Sequence, residues 1–439
     1  MTYDVNECPP LGKWIILALH HVFAMFGATI LVPILVNAAA GEVVLTIPVA
    51  LVTSGIGTLI YILCTKGKSP VYLGSSFAFI TPIAAAFLKG GISGAMTGIM
   101  AVGILYIIVA LIIKFIGKDW LDKLLPPVVI GPMIMIIGLW LAPSAISQIG
   151  IAAGTAMEWK TVLVAFVSFL VTAIVMTKAK GFFKVIPFLF GIISGYVVAL
   201  MLGMIDFSAV GEAKFFAMPN FMLPFVDYKI SFTALVTILP IALVTICEHI
   251  GDHKSLSNII GKDLIKDPGL DRTLLGDGIA TFVAGFLGGP ANTTYGENTS
   301  VVGMTKVASV KVIGLAAIIS IMFGFLGKFT ALISTIPDAV LGGVSLLLYG
   351  FIAVNGLKVL ISNQVDFEKP VNVIVASTML VLGLGGAAIS IVSGDLSVTI
   401  SGMSLASIAG IILNLTLRGK EEEIVVEEKP KRGRKKSSK

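Results

Sequence analysis

Charge is scarce in this 439-residue chain. Asp, Glu, Lys and Arg together make up 13% of it, 56% is hydrophobic, and the mean hydropathy is +0.99. A water-soluble fold of this length could not cover so much apolar side chain, so the composition excludes that class and fits a polytopic helical membrane protein. Cysteine is scarce as well. Cys8, Cys64 and Cys247 form neither a disulfide framework nor a metal-ligand spacing. The glycine-rich stretches match no phosphate-loop or dinucleotide fingerprint, and no nucleophile constellation accompanies the acids. No cofactor and no metal are therefore expected, and an enzyme is disfavoured. No cleavable leader pattern is visible, since the polar start MTYDVNECPPLGK runs straight into a long apolar stretch. The net charge of +6 invites a nucleic-acid reading, but the placement of the charges argues against one.

Fourteen apolar runs follow one another, the third (71–88) and the tenth (293–308) short or interrupted. If both termini are cytoplasmic, 26 of the 31 Lys and Arg fall inside. Only Lys89, Lys160, Lys214, Lys229 and Lys328 fall outside. That asymmetry is what the positive-inside rule expects of an even number of spans. The two halves also echo each other. Leu73-Gly74 is matched by Leu287-Gly288, and Pro126 with Gly131 by Pro337 with Gly342. The expected organisation is a first seven-span repeat at 1–205 and an external connecting loop at 206–230. A second, inverted seven-span repeat follows at 231–417. The charged cytoplasmic tail, 418–439, is too polar to fold alone, and its basic end could attract anionic lipid. Paired interrupted segments in inverted repeats point to a binding site near the midplane.

The stretch GGPANTTYGENTSVVGMTK, Gly288 to Lys306, carries the densest chemistry. Gly and Pro break a regular helix, and a carboxylate at membrane depth faces protein interior or a water-filled cavity. The stretch reads as a short extended segment entering a half-helix, with Glu297 near the break. Upstream, TICEHIGDHKS places Glu248 and Asp252 on one helix face and His249 and His253 on another. Glu248 lies deep in its run. Asp252, His253 and Lys254 also fit a solvated helix end. Two carboxylates from two spans can load and release a proton as access alternates, or serve acid–base hydrolysis. In the first run, His20 and His21 are either satisfied core residues or orient a binding group. The segment GSSFAF offers backbone N–H groups at a helix break, with Phe77 or Phe79 supplying a ring. Donors on one side and acceptors on the other would suit a planar cyclic imide.

HHVFAMFGATILVP, YLGSSFAFITP, EHIGD, NTTYGENTSVVGMTK and GGVSLLLYG together resemble the nucleobase–ascorbate (nucleobase–cation symporter 2) family, and within it the bacterial uracil permeases. The resemblance covers nearly the whole chain except the tail. It implies fourteen transmembrane spans in two inverted repeats, core and gate domains, and short strands in the broken third and tenth spans. It implies proton-coupled uracil import by an elevator-like movement, in the inner or plasma membrane, by a homodimer. Carried over, Glu248 and Glu297 would bond the pyrimidine, the backbones of Phe77 and Gly296 would meet its carbonyls, and Tyr295 would pack nearby. Glu248 or Asp252 would carry the proton; some relatives have His where Asp252 stands. His21, Asn298 and Thr305 would support the site. Ser300 stands where the family pattern has Gly, which would narrow a close helix contact. Purine and xanthine carriers more often have Gln at the position of Glu297. Rival readings are a purine or xanthine symporter, an anion transporter or channel on the same plan, and a membrane enzyme.

Overall fold

Apolar runs bounded by Pro and Gly become helices here. Proline occupies the first turn of five of them, where its missing N–H costs nothing, and left-handed Gly41, Gly150 and Gly261 close α1, α6 and α10. The protein, seen in a computed structural model, is described for residues 1–417 apart from Thr233, Gly394 and Asp395. The expected tail at 418–439 lies outside the described residues.

In the first half the helices are α1 (Leu11–Ala40), α2 (Ile47–Cys64), α3 (Ile80–Ile116), α4 (Asp119–Leu124), α5 (Pro127–Trp140), α6 (Ala142–Ile149), α7 (Trp159–Lys178), α8 (Pro187–Met201) and α9 (Ser208–Glu212). In the second half they are α10 (Leu235–Ile260), α11 (Leu270–Phe286), α12 (Gly296–Thr305), α13 (Val310–Gly324), α14 (Gly327–Ser334), α15 (Asp338–Ser362), α16 (Pro370–Leu384) and α17 (Gly402–Leu417). Strands β1 (Leu73–Ser75) and β2 (Asn292–Thr294) precede α3 and α12, and β3 (Ala388–Ser393) and β4 (Leu396–Ser401) precede α17. Gly91, at φ 59°, interrupts α3 where a side chain would be strained. Among the described residues, seven helices are long and apolar enough to cross a membrane.

The helices pack in two groups. In one, α11 lies against α2 and α3, α13 against α2, and α10 against α3. Contact is close where Gly103 meets α11, since a Cβ there would run into the backbone of Gly278 and Phe282. In the other group, α15 packs on α5, α6 and α7, and α16 on α17 and α5. The two short strands β1 and β2 pair antiparallel inside the first group, Leu73 opposite Thr294 and Ser75 opposite Asn292. Their outer edges have no further strand, and hydroxyls replace one. Ser54 Oγ donates to the Leu73 carbonyl at 2.7 Å, and Thr281 Oγ1 donates to the Asn292 carbonyl at 3.0 Å. Buried irregular backbone in an apolar protein needs such partners.

Two expectations change. The echo that set Leu287-Gly288 beside Leu73-Gly74 is misaligned. Leu287 and Gly288 form the turn that ends α11, and the strand that pairs with β1 comes at Asn292–Thr294. The proline echo survives, because Pro126 and Pro337 each precede the first residue of a helix, α5 and α15. Second, the apolar runs at 371–389 and 396–417 are not helical to their facing ends. AISIVS and LSVTIS alternate and form the β3–β4 hairpin, Ala388 opposite Ser401. β-Branched residues at a two-residue period favour strand over helix.

Candidate functional site

Two turns and three helices frame a cavity of about 420 Å³, with Met176 of α7 and Phe188 of α8 at its margin. That is within the size range of small-molecule sites, about 300–1,000 Å³. Its floor is the turn from β1 into α3 and the turn from β2 into α12. One wall is α10, and the opposite wall is α5 and α15.

The two turns arise from the chain's own punctuation. After Ser75 the chain enters a short 3-10 turn, Phe77–Phe79, and after Thr294 it passes Tyr295 and enters α12 at Gly296. The first N–H groups of a helix have no partner inside it. Two sets of such donors therefore open on the cavity from α12 and from the turn at Phe77, at the positive ends of helix dipoles. Phe77 is half-buried and lines the cavity, whereas Phe79 is fully buried, so Phe77 is the available ring. Tyr295 is pinned in the floor. Its hydroxyl donates to the Ser75 carbonyl at 2.8 Å and shares a hydrogen bond with Thr29 at 3.1 Å.

The acids come from the two helices. Glu248 and Asp252 lie one turn apart on α10, Glu297 lies in the first turn of α12, and all three line the cavity. The three carboxylates lie within electrostatic reach of one another. Their attachments differ. Asp252 accepts a hydrogen bond from Thr294 Oγ1 at 2.5 Å, which fastens α10 to β2. Among the described residues Glu248 has no hydrogen-bond partner, and its side chain turns to the cavity.

The adjoining face of α10 explains why those acids point inward. His249 shares hydrogen bonds with Asp277 at 2.8 Å and Thr273 at 3.1 Å, both on α11. His253 shares one with the Tyr61 hydroxyl at 2.5 Å, and the two imidazoles stack at 4.1 Å. This buried network fixes the rotation of α10. It decides against the solvated helix end that His253 also fitted, because His253 is completely buried. Its partner Tyr61 lies 192 residues away in sequence.

Other expected residues sit farther off. Asn298 donates from Nδ2 to the His21 carbonyl and to its ring nitrogen, both at 3.1 Å. The pair lies behind the floor and joins α12 to α1; it does not line the cavity. Thr305 lies at the far end of α12, where its hydroxyl bonds the Val301 carbonyl at 2.8 Å and closes the helix. Ser300 narrows no helix contact. It is exposed, lines the cavity, and donates to the Gly296 carbonyl at 3.0 Å. Sequence reasoning missed the far wall, Asn355, Phe351 and Ile352 on α15. An Asn inside the apolar run 336–357 was the one available signal. Thr294 gave no signal, since its role depends on a long-range contact.

No lysine or arginine lines the cavity among the described residues. The set of groups is acceptors on α10 and α12, N–H donors at the floor, one aromatic ring, and apolar walls. It matches a small, flat, uncharged ring that carries both N–H and carbonyl groups. A second cavity of about 730 Å³ shares Glu248, Asp252 and Asn355 and extends along α10 and α15 to Lys254 and Asn363. A third, about 700 Å³, lies near Lys214 and Asp338 and shares no lining residue with the first.

Residues 12–392 match the model of a family described as "Permease family". The chain is 48% identical over 425 residues to a uracil permease of Bacillus subtilis (strain 168), covering 95% of this chain and 96% of that one. It is 42% identical to a uracil permease of Escherichia coli (strain K12), covering 94% and 93%. In fold it is similar to the murine Slc26a9 anion transporter in the inward-facing state, with a TM-score of 0.68 at 13% identity. That match covers 95% of this chain and 69% of the other. The chain belongs to this permease family and is a multi-pass membrane transporter rather than an enzyme.

Proposed function

We propose, from membership of this family, that the chain imports uracil together with a proton across the cytoplasmic membrane by alternating access. The observation that carries the reading is the convergence of Glu248 and Glu297 on one cavity whose floor is two helix starts. Carboxylates accept from the ring N–H groups, and the backbone N–H groups near Phe77 and Gly296 donate to the carbonyls. The Phe77 ring stacks on the base, and Tyr295 holds the floor. The uracil permeases among its relatives support the substrate. The lack of a cationic residue on the lining among the described residues disfavours an anion substrate, although the fold is similar to that of an anion transporter.

The architecture in this reading has fourteen spans in two inverted repeats, 1–205 and 231–417, joined by the external segment 206–230. The helix group around α10–α13 is the mobile core, and the group around α15 is the gate. Both termini are cytoplasmic and the transporter is a homodimer. The cavity that joins the site to Lys254 and Asn363 then opens inward, so this arrangement is the inward-facing one. Glu248 or Asp252 carries the proton.

Uptake of labelled uracil by purified protein in liposomes, with and without an inward proton gradient, tests the proposal. Accumulation above equilibrium only with the gradient is the expected result. Uptake that ignores the gradient removes the coupling, and accumulation of xanthine in preference to uracil replaces the substrate.

A further inference from the structure

Residues 2–7 lie across the far ends of the two helices that hold the site acids. One edge of this segment is fixed to the chain that follows α12. Thr2 N–H donates to the Lys306 carbonyl at 2.6 Å, Ala308 N–H to the Tyr3 carbonyl at 2.9 Å, and Val310 N–H to the Val5 carbonyl at 3.0 Å. Ser309 Oγ donates to the Glu7 carbonyl at 2.5 Å. The other edge reaches the end of α10. Lys262, next to the Gly261 that closes α10, donates to both Asp4 carboxylate oxygens at 2.7 and 2.8 Å. Between these attachments Val5 is buried with Leu256 and Ile260 of α10, Val302 of α12 and Ala308.

The segment thus touches both helices and belongs to neither. Glu248 lies twelve residues before Ile260, the end of α10, about 18 Å along the helix, and Glu297 lies eight residues before Thr305, the end of α12, about 12 Å. A helix is stiff over such lengths, so its far end shares in setting the direction of its acid. Polar recognition tolerates only about 0.5 Å of misplacement.

We propose that residues 2–7 form a strap that sets the spacing of α10 and α12, with Asp4 and Lys262 as positioning residues for the Glu248–Glu297 pair. The role in transport rests on the uracil reading above; the role in spacing does not.

The test has two readouts, in a background with Cys8, Cys64 and Cys247 replaced. Spin labels at Ser255→Cys on α10 and Met304→Cys on α12, both exposed positions, report the distance between the helix ends without substrate. Uracil KM and Vmax report the site. Asp4→Lys and the milder Asp4→Asn are expected to broaden the distance distribution. They should also raise KM about two- to fivefold at similar Vmax, the range open to an exposed ion pair. Asp4→Lys with Lys262→Asp is expected to restore both. Salt at 1 M, where screening reaches about 3 Å, should broaden the native distribution and leave Asp4→Asn unchanged. If Asp4→Lys does not fold, Asp4→Asn and the salt series still decide. A native-like distribution in Asp4→Asn, or a reversed pair that restores neither readout, overturns the strap. Native protein that fails to transport uracil overturns the substrate reading and leaves the distance result intact.

Discussion

At the scale of single residues, the site contains groups fastened to another element and carboxylates that are not. Tyr295, Asp252 and Asn298 each have a named partner on another element, whereas Glu248 turns an unbonded carboxylate to the cavity. Glu297→Gln keeps shape but replaces an acceptor oxygen with a donor that faces a ring N–H. An unmade buried hydrogen bond costs about 1–3 kcal/mol. Calorimetry is expected to show uracil binding weakened about tenfold or more, with thermal stability in detergent unchanged. Unchanged affinity would place Glu297 outside the site. Outside the membrane, the hydrogen bond from Lys262, and then the Val5 backbone N–H, hold the Asp4 carboxyl below its ordinary 3.8. A depressed value stabilises the fold above 3.8 and loses that contribution as pH falls through the lower one. Both partners are about half exposed, 47% and 49%, so the contribution is about 1 kcal/mol or less. Native protein and Asp4→Asn should differ slightly in unfolding temperature at pH 7 and converge in acid. A gap that persists well below pH 3.8 would show that the pair is not its source.

At the scale of elements, the floor depends on two three-residue strands meeting at close quarters. A Cβ on Gly74 would meet the ring of Tyr295, the same ring whose hydroxyl reaches Ser75. Gly74→Val is therefore expected to displace Tyr295 and cost about 1–3 kcal/mol, as overpacking does. A thermal-shift measurement should show the loss, together with weaker uracil binding; a native melting curve would mean that the strands can part without penalty. Much of this element was legible in advance. Gly-Gly-Pro before NTTYGEN announced an extended piece running into a half-helix, and Glu248, Glu297, Phe77, Gly296 and Tyr295 all reached the cavity. The partner of Asp252 was not legible, because Thr294 lies 42 residues away on another element. The burial of His253 stayed open in the sequence for the same kind of reason. A charged neighbour, Lys254, made its helix end look wet, while Tyr61 waited in a distant helix. The β3–β4 hairpin was hidden because alternating Ile, Val and Ser are apolar enough to read as part of a span.

At the scale of the whole molecule, topology and coupling are one question, since a coupled proton must reach water on each side in turn. Cysteines in the 206–230 segment should react with an impermeant reagent from outside, and those at 420–439 should not; labelling of the tail in intact cells would overturn the fourteen-span count. In the proposed symport the proton carrier is Glu248 or Asp252. Both line the site cavity and the second cavity that leads to Lys254, so both meet water in this arrangement. Their attachments favour Glu248. Asp252 is engaged by Thr294 on the same helix group, and in the proposed mechanism that bond would travel with the core, whereas the Glu248 carboxylate, without such a bond among the described residues, would be free to exchange its proton. Glu248→Gln is expected to abolish gradient-driven accumulation, and Asp252→Asn to weaken it while leaving it coupled. Exchange of labelled for unlabelled uracil needs no net proton movement, so exchange and accumulation measured together separate binding from coupling. An Asp252→Asn protein that exchanges uracil at the native rate but cannot accumulate it would transfer the role to Asp252. The Thr294 bond would then be the contact through which substrate and proton sense each other.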